Sequence, residues 1–279
     1  MAPRPQDDPD AFAVRLETEG VVVLPGHPFR LTPEEADLVS PHFSDGRAKN
    51  ISLGPDGAVR GATPDPAAQR RLAALMSRYR GWAESTIQAA APRYAATLER
   101  GRTSLRTREV ADGNPSRRKD DRRLHIDAFA SQPTGGRRIL RMFTNINPDG
   151  EARHWHVGEP FEAHARRWAG QLRAPWPGEA WVLRRLGITR AVRTLYDALM
   201  LGLHDAAKLD DAYQRDAPRR EAAFEAGASW LVFTDSVVHA AVRGRFMLEQ
   251  TFYLPPQAMA APETAPARIL ERITGRTLT

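Results

Sequence analysis

The chain has 279 residues, 42% of them apolar, which is enough for one large or two small folded domains and excludes a wholly disordered chain. It contains no cysteine, so disulfides, zinc ribbons, iron-sulfur clusters and thiol nucleophiles are excluded and any metal centre must use His and carboxylates. The net charge is +6 and Lys occurs only at 49, 119 and 208, so the basic excess is Arg, whose planar fork suits carboxylate and phosphate, although genome composition accounts for such an excess as readily.

Residues 1–14 are rich in Pro and Asp and read as a frayed terminus. A short buried strand is expected over 20–26, closed by Pro25-Gly26. Thr32-Pro33-Glu34-Glu35 is a helix start, with a capping Thr and Pro at the first helical position. Gly46 to Asp65 reads as a loop or hairpin. The spacing of Leu72, Leu75, Met76, Tyr79, Trp82, Ile87 and Tyr94 predicts two amphipathic helices within 66–101, broken near Pro92, with their aromatics facing a core. A strand-like piece from Thr103 leads into a charged loop, 114–123. Strands follow at 124–129 and 138–148, the latter ended by Pro148.

Residues 159–226 read as a mostly helical insertion with a Pro-Trp-Pro-Gly break at 175–178. Two more strands, 227–239 and 245–254, flank a turn at Gly244, and a short helix is expected near 266–274. Strands placed before and after a helical block suit an antiparallel sheet with helices outside it. The expected class is therefore α+β with a double-stranded β-helix core (jelly-roll, cupin-like), residues 1–102 packing on a core formed by 103–279. No apolar run approaches the ~18 residues of a membrane span, and no apolar leader is visible, so a cytoplasmic protein is expected. Nucleic acid is not an expected partner, because the Arg residues are not interleaved with aromatic stacking positions.

The chemistry concentrates on Leu124-His125-Ile126-Asp127. In a strand, residues i and i+2 share a face, so His125 and Asp127 can offer an imidazole and a carboxylate to one point. A distal His239, at the end of an apolar strand, would complete a 2-His-1-carboxylate triad, which leaves positions open on Fe(II) for a co-substrate and O₂. A rival, His154-Trp155-His156 with Glu159, resembles a cupin metal motif, but its Glu is one residue early and the segment reads as a polar loop after the Pro148-Asp149-Gly150 turn. Such iron sites commonly use 2-oxoglutarate, whose far carboxylate needs a cation. Arg141, sharing a face with Asn145 fourteen residues past Asp127, is preferred for this, with Arg245 in reserve.

The strings RLHIDAFASQPTGGRRILRMFTNINPDGEARHWHVGEPFE, YDALMLGLHDAAKLDDAYQ and WLVFTDSVVHAAVRGRFMLEQTFYLP resemble the Kdo hydroxylase family, over about residues 103–279. The resemblance implies an Fe(II)/2-oxoglutarate-dependent dioxygenase. It would use O₂, with ascorbate keeping the iron reduced, to hydroxylate the 3-position of the sugar acid Kdo on a lipid A precursor. It also implies work at the cytoplasmic face of a membrane; peripheral contact of a basic surface with anionic lipid is the hypothesis for how a protein without a spanning segment reaches such a substrate. The carboxylate and phosphates of such a substrate make Arg106, Arg117, Arg118, Arg123 and Arg138 its candidate binders. Two alternatives stay open: an oxygenase of the same architecture with another substrate, and a sugar-binding module in which the histidines are core residues.

Overall fold

The computed structural model describes residues 10–26, 28–172, 175–176 and 178–278. Most of the expected frayed terminus, and Pro177 of the Pro-Trp-Pro-Gly break, lie outside these residues. In chain order the elements are α1 (Ala11–Glu19), β1 (Val21–Val23), α2 (Pro33–Ala36), β2 (Ile51–Leu53), β3 (Val59–Arg60), α3 (Pro66–Ala90), β4 (Glu99–Arg106), β5 (Arg138–Asn145) and β6 (Arg153–Val157). Then follow α4 (Phe161–Ala169), α5 (Glu179–Arg185), α6 (Leu195–Leu209), α7 (Asp211–Asp216), β7 (Arg220–Phe224), β8 (Ser229–Phe233), β9 (His239–Arg243), β10 (Met247–Leu254) and α8 (Pro266–Thr274).

This is a mixed α and β fold built on two antiparallel sheets. The larger has the order β1-β8-β5-β10-β4-β2-β3, and the smaller β7-β6-β9. The N-terminal strands thus extend both edges of the larger sheet, and β4 crosses the boundary expected at 102/103. Period-two alternation makes the layers. On β5, Leu140 and Met142 join the cluster beneath α1 and α3, while Phe143 faces the other way and packs with Trp155, Trp230 and Met247 between the sheets. Trp230 is fully buried, stacked on Phe224 with centroids 3.9 Å apart, and such a ring contributes roughly 1.5–3 kcal/mol or more by burial. Behind the smaller sheet, α4, α6 and α8 cover Leu124, Ile126, Val238 and Ala240. No helix among the described residues is long and apolar enough to cross a membrane.

Several local expectations change. Residues 11–14 are helical, because Ala13 and Leu16 bury one face of α1. The stretch after Pro66 is one 25-residue helix, and Pro92 ends it in a single 3₁₀ turn instead of dividing two helices. The polar segment 153–157 is a strand, since its alternate residues Arg153, Trp155 and Val157 are buried. The helical insertion stops at Asp216, and Arg220–Phe224 already belongs to the small sheet. Finally, a turn at Thr234–Val238 divides the expected strand, so that His239 heads β9 instead of closing β8.

Candidate active site

His125 lies in no regular strand. It forms an isolated antiparallel bridge with His239, each backbone N–H donating to the other's carbonyl at 3.0 and 2.8 Å. The chain then leaves the ladder, and the Asp127 N–H donates to the Thr234 carbonyl at 2.7 Å. The offset of two still sets His125 and Asp127 side by side, Nε2 to Oδ1 3.8 Å. His125, Asp127 and His239 are the group of possible metal ligands found among the described residues, with one donor atom each inside a 4.8 Å span.

The donor set fits an iron ion. Nδ1 of His125 lies 2.7 Å from the Arg123 carbonyl and Nδ1 of His239 2.8 Å from the Val237 carbonyl. Each carbonyl calls for an N–H at Nδ1, which leaves the Nε2 lone pair for a metal. Burial, followed by the neighbouring His239 and Lys208, holds His125 far below the ordinary imidazole value, and burial also lowers His239, so both are neutral. Burial alone would raise Asp127, but Arg141, His239 and His125 outweigh it and hold the carboxyl ionised. Its buried Oδ2 has no hydrogen bond, only a 3.3 Å ion-pair contact with Arg141.

The triad opens into a cavity of about 320 Å³ between the sheets, within the size range of small-ligand sites. Seven cations and two carboxylates line it, so it attracts anions. Arg106 and Arg141 are already engaged. Arg106 reaches Glu249 at 2.7 Å and Asp121 at 3.1 Å, and Arg141 lies 3.2 Å from Glu249. Arg153, on β6, differs. It is 1% exposed, has no carboxylate within ion-pair distance among the described residues, leaves Nε unpartnered, and donates through Nη1 to the Gly244 carbonyl at 2.9 Å. Burial, and then Arg106, push this guanidinium down to about 9. Because a guanidinium keeps its proton, that push registers an uncompensated positive charge. Gly244 makes the contact possible: with φ 120° it brings the backbone so close that a Cβ there would stand 3.0 Å from Arg153 Cα.

The family model for 3-deoxy-D-manno-oct-2-ulosonic acid (Kdo) hydroxylase matches residues 2–277. The chain belongs to the Kdo hydroxylase family. The match takes in the N-terminal hundred residues, which carried no such resemblance in the sequence reading. Solved structures of the Kdo hydroxylase KdoO, a non-heme Fe(II) α-ketoglutarate-dependent dioxygenase, are similar to it. The apo form is 41% identical, with TM-score 0.92 over 97% of this chain and 91% of that one. The cobalt(II) complex is 42% identical, and the complex with α-ketoglutarate and Fe(III) 41%, each with TM-score 0.92 and the same coverage. Comparison with curated protein sequences gives no match.

In this Kdo hydroxylase family member, three of the expected arginines line the cavity: Arg141, Arg106 and Arg118. Arg118, 62% exposed, pairs with Asp205 at 2.9 Å and gives its carbonyl to Lys208. The others are placed elsewhere. Arg117 pairs with Asp211 on the surface. Arg123 binds the Lys208 carbonyl and Asp211, and so fixes the backbone that orients His125. Arg138 is fully buried against Asp235, Ser236 and the Phe233 ring, where it ties β5 to the turn leading to His239. Asn145 bonds the Glu151 and Phe224 carbonyls, and Arg245 pairs with Asp149 at the surface. The rival motif faces away: His154 and His156 lie on the opposite side of β6 from Arg153 and Trp155, and Glu159 instead contacts Arg167 and His164.

Sequence reading missed Arg153, His204 and Lys208. The period-two relation of Arg153 to Trp155 was available, but His154 and His156, on the opposite face of the same stretch, carry the stronger metal-ligand signal. His204 and Lys208 are one turn apart on α6 and both reach the cavity, the His204 ring lying 5.6 Å from His125. Lys208 is 2% exposed, donates to the Arg118 carbonyl at 3.2 Å and stands 3.9 Å from Asp121. Burial lowers it below the ordinary Lys value.

Proposed function

We propose that this chain is an Fe(II)/2-oxoglutarate-dependent dioxygenase that hydroxylates the 3-position of Kdo carried on lipid A. The observation that carries the reading is the buried triad of His125, Asp127 and His239, with both imidazoles fixed to leave Nε2 free, at the base of a cation-rich cavity. These three residues would hold the iron. Bound there, iron supplies the coupling of O₂ reduction and 2-oxoglutarate decarboxylation to oxidation of a C–H bond.

The remaining residues bind and orient. Arg153 receives the far carboxylate of 2-oxoglutarate, since it is the buried cavity guanidinium with no carboxylate of its own, whereas Arg141 is occupied by Asp127 and Glu249. Lys208 and His204 face the sugar acid from α6, and Trp155, stacked on His239 with centroids 5.2 Å apart, closes the wall and excludes water. The double-stranded β-helix reading is supported by strand order. With the His125 segment counted beside β9, four strands of the small sheet face β4, β10, β5 and β8. Ascorbate is the proposed reductant, and the cytoplasmic face of a membrane the proposed place of action.

Succinate release that depends on Kdo-lipid A, together with the gain of one oxygen in the mass of the Kdo unit, tests the reading. Equal succinate release without that substrate, and no mass gain, would reject it.

A further inference from the structure

Between α4 and α6 the helical insertion reverses the usual placing of apolar side chains. α4 and α6 bury theirs, but the described residues within 175–193 expose Trp176, Trp181, Leu186, Ile188 and Val192, by 45, 66, 68, 52 and 59%. Only three other large hydrophobics are exposed among the described residues, Val14, Val23 and Leu209, none of them in this segment. A cluster of that kind marks a binding surface, where scattered single residues would not.

Its charge says what it binds. The segment carries Arg184, Arg185, Arg190 and Arg193 against one carboxylate, Glu179. Arg184, Arg185 and Arg190 are exposed, and no ion pair engages them among the described residues. Exposed indole and aliphatic side chains interspersed along the segment with guanidinium groups that no ion pair engages match an anionic lipid surface: the apolar groups enter the headgroup boundary and the cations meet phosphate. A protein partner would have to bring carboxylates placed to meet each guanidinium, whereas the phosphates of an anionic bilayer meet them at any position.

The surface is joined to the site. The Arg190 N–H donates to the Ser131 carbonyl at 2.9 Å, and the Arg193 guanidinium to the Ala130 carbonyl at 2.7 Å. Ala130 directly follows Ala128 and Phe129, which line the cavity beside Asp127. We infer that residues 178–193 dock the protein on an anionic bilayer, with Trp181, Leu186 and Ile188 inserted and Arg184, Arg185 and Arg190 on lipid phosphates, next to the cavity rim. This deepens the proposed function, on which its biological sense rests, since a lipid-borne sugar acid would then meet the cavity at the surface where it is anchored.

The test is flotation of the full chain with vesicles of equal parts phosphatidylglycerol and phosphatidylcholine, and with vesicles of phosphatidylcholine alone. The wild type floats with the anionic vesicles, less so in high salt, and not with the neutral ones. The double variants Trp181→Ser/Leu186→Ser and Arg184→Glu/Arg185→Glu each lower the bound fraction on the order of 10-fold. Turnover of a water-soluble Kdo glycoside stays at wild-type rate in both, which shows that they are folded. Wild-type protein that stays with the soluble fraction, or variants that float as well as wild type, overturn the docking surface. So does a wild-type dimer that the Trp181→Ser/Leu186→Ser change dissociates, in the absence of vesicle binding. Failure of the glycoside to turn over while flotation behaves as expected rejects the substrate reading and leaves the docking surface standing.

Discussion

His125 and His239 face each other as a backbone-bonded pair across an antiparallel bridge, and each imidazole is steered by the carbonyl two residues before it in the chain. Two distant parts of the sequence thus fix their rings by the same local device, with ring centroids 4.6 Å apart. Because main chain does the steering, the tautomers survive most side-chain changes nearby. The burial that keeps both rings neutral is supplied by the sheets and helices around them.

His125→Ala and His239→Ala are therefore expected to lose iron without unfolding. Each should weaken metal binding by on the order of 100-fold or more, read by titration calorimetry or metal content, with an unchanged far-UV circular dichroism spectrum. Iron retained at wild-type affinity by either variant would show that the triad is not the metal site.

Arg153 and Arg141 offer a direct choice for the 2-oxoglutarate carboxylate. Removing a charge-assisted contact costs about 1.5–3 kcal/mol, roughly 10- to 100-fold in KM. Arg153→Ala should raise the 2-oxoglutarate KM by that factor, with the sugar KM little changed. Arg141→Ala should act on iron affinity instead, because it removes the cation beside Asp127. A rise in 2-oxoglutarate KM confined to Arg141→Ala would restore the assignment made from the sequence.

The contrast between these arginines shows how far the sequence was legible. A His-x-Asp pair announces itself, because an offset of two sets both side chains on one side of extended backbone, and His239 was recognisable beside an apolar run. Which arginine is free was not legible, since it depends on where carboxylates arrive from other elements: Glu249 from β10 and Asp121 from the charged loop consume Arg106 and Arg141. Arg138 and Asn145 looked like site residues only because their partners, Asp235 and the Glu151 and Phe224 carbonyls, are supplied by tertiary structure. The α6 residues stayed hidden for a related reason. Helical spacing marks an apolar face, but not which polar residues at its margin reach over a neighbouring sheet.

Lys208 provides a test of that margin. It is a buried cation on the cavity wall whose nearest carboxylate oxygen, from Asp121, is 3.9 Å away, so it can take an anionic substrate group. Lys208→Met keeps most of the buried stem and removes the charge. It is expected to raise the KM for the Kdo substrate about 10-fold while leaving that for 2-oxoglutarate within about twofold. A parallel rise in both, or none in the sugar KM, would show that Lys208 only props the Arg118 loop.

Acid stability should report on Glu159, the residue that the rival motif would have made a ligand. Contacts with His164 first, and then with Arg167 and Tyr213, hold its carboxyl at about 2, against an ordinary value of 4.5. A carboxyl depressed by folding stabilises the native state fully above its unfolded value, and that contribution is lost as pH falls through the folded value. The loss should therefore fall between about pH 4.5 and pH 2. Glu159→Gln should be less stable than wild type at neutral pH, with the gap closing across that window, in urea unfolding followed by circular dichroism. A gap independent of pH would mean that Glu159 acts through shape and hydrogen bonding alone, and that its charge contributes nothing to its contacts with α4 and with Tyr213 of α7.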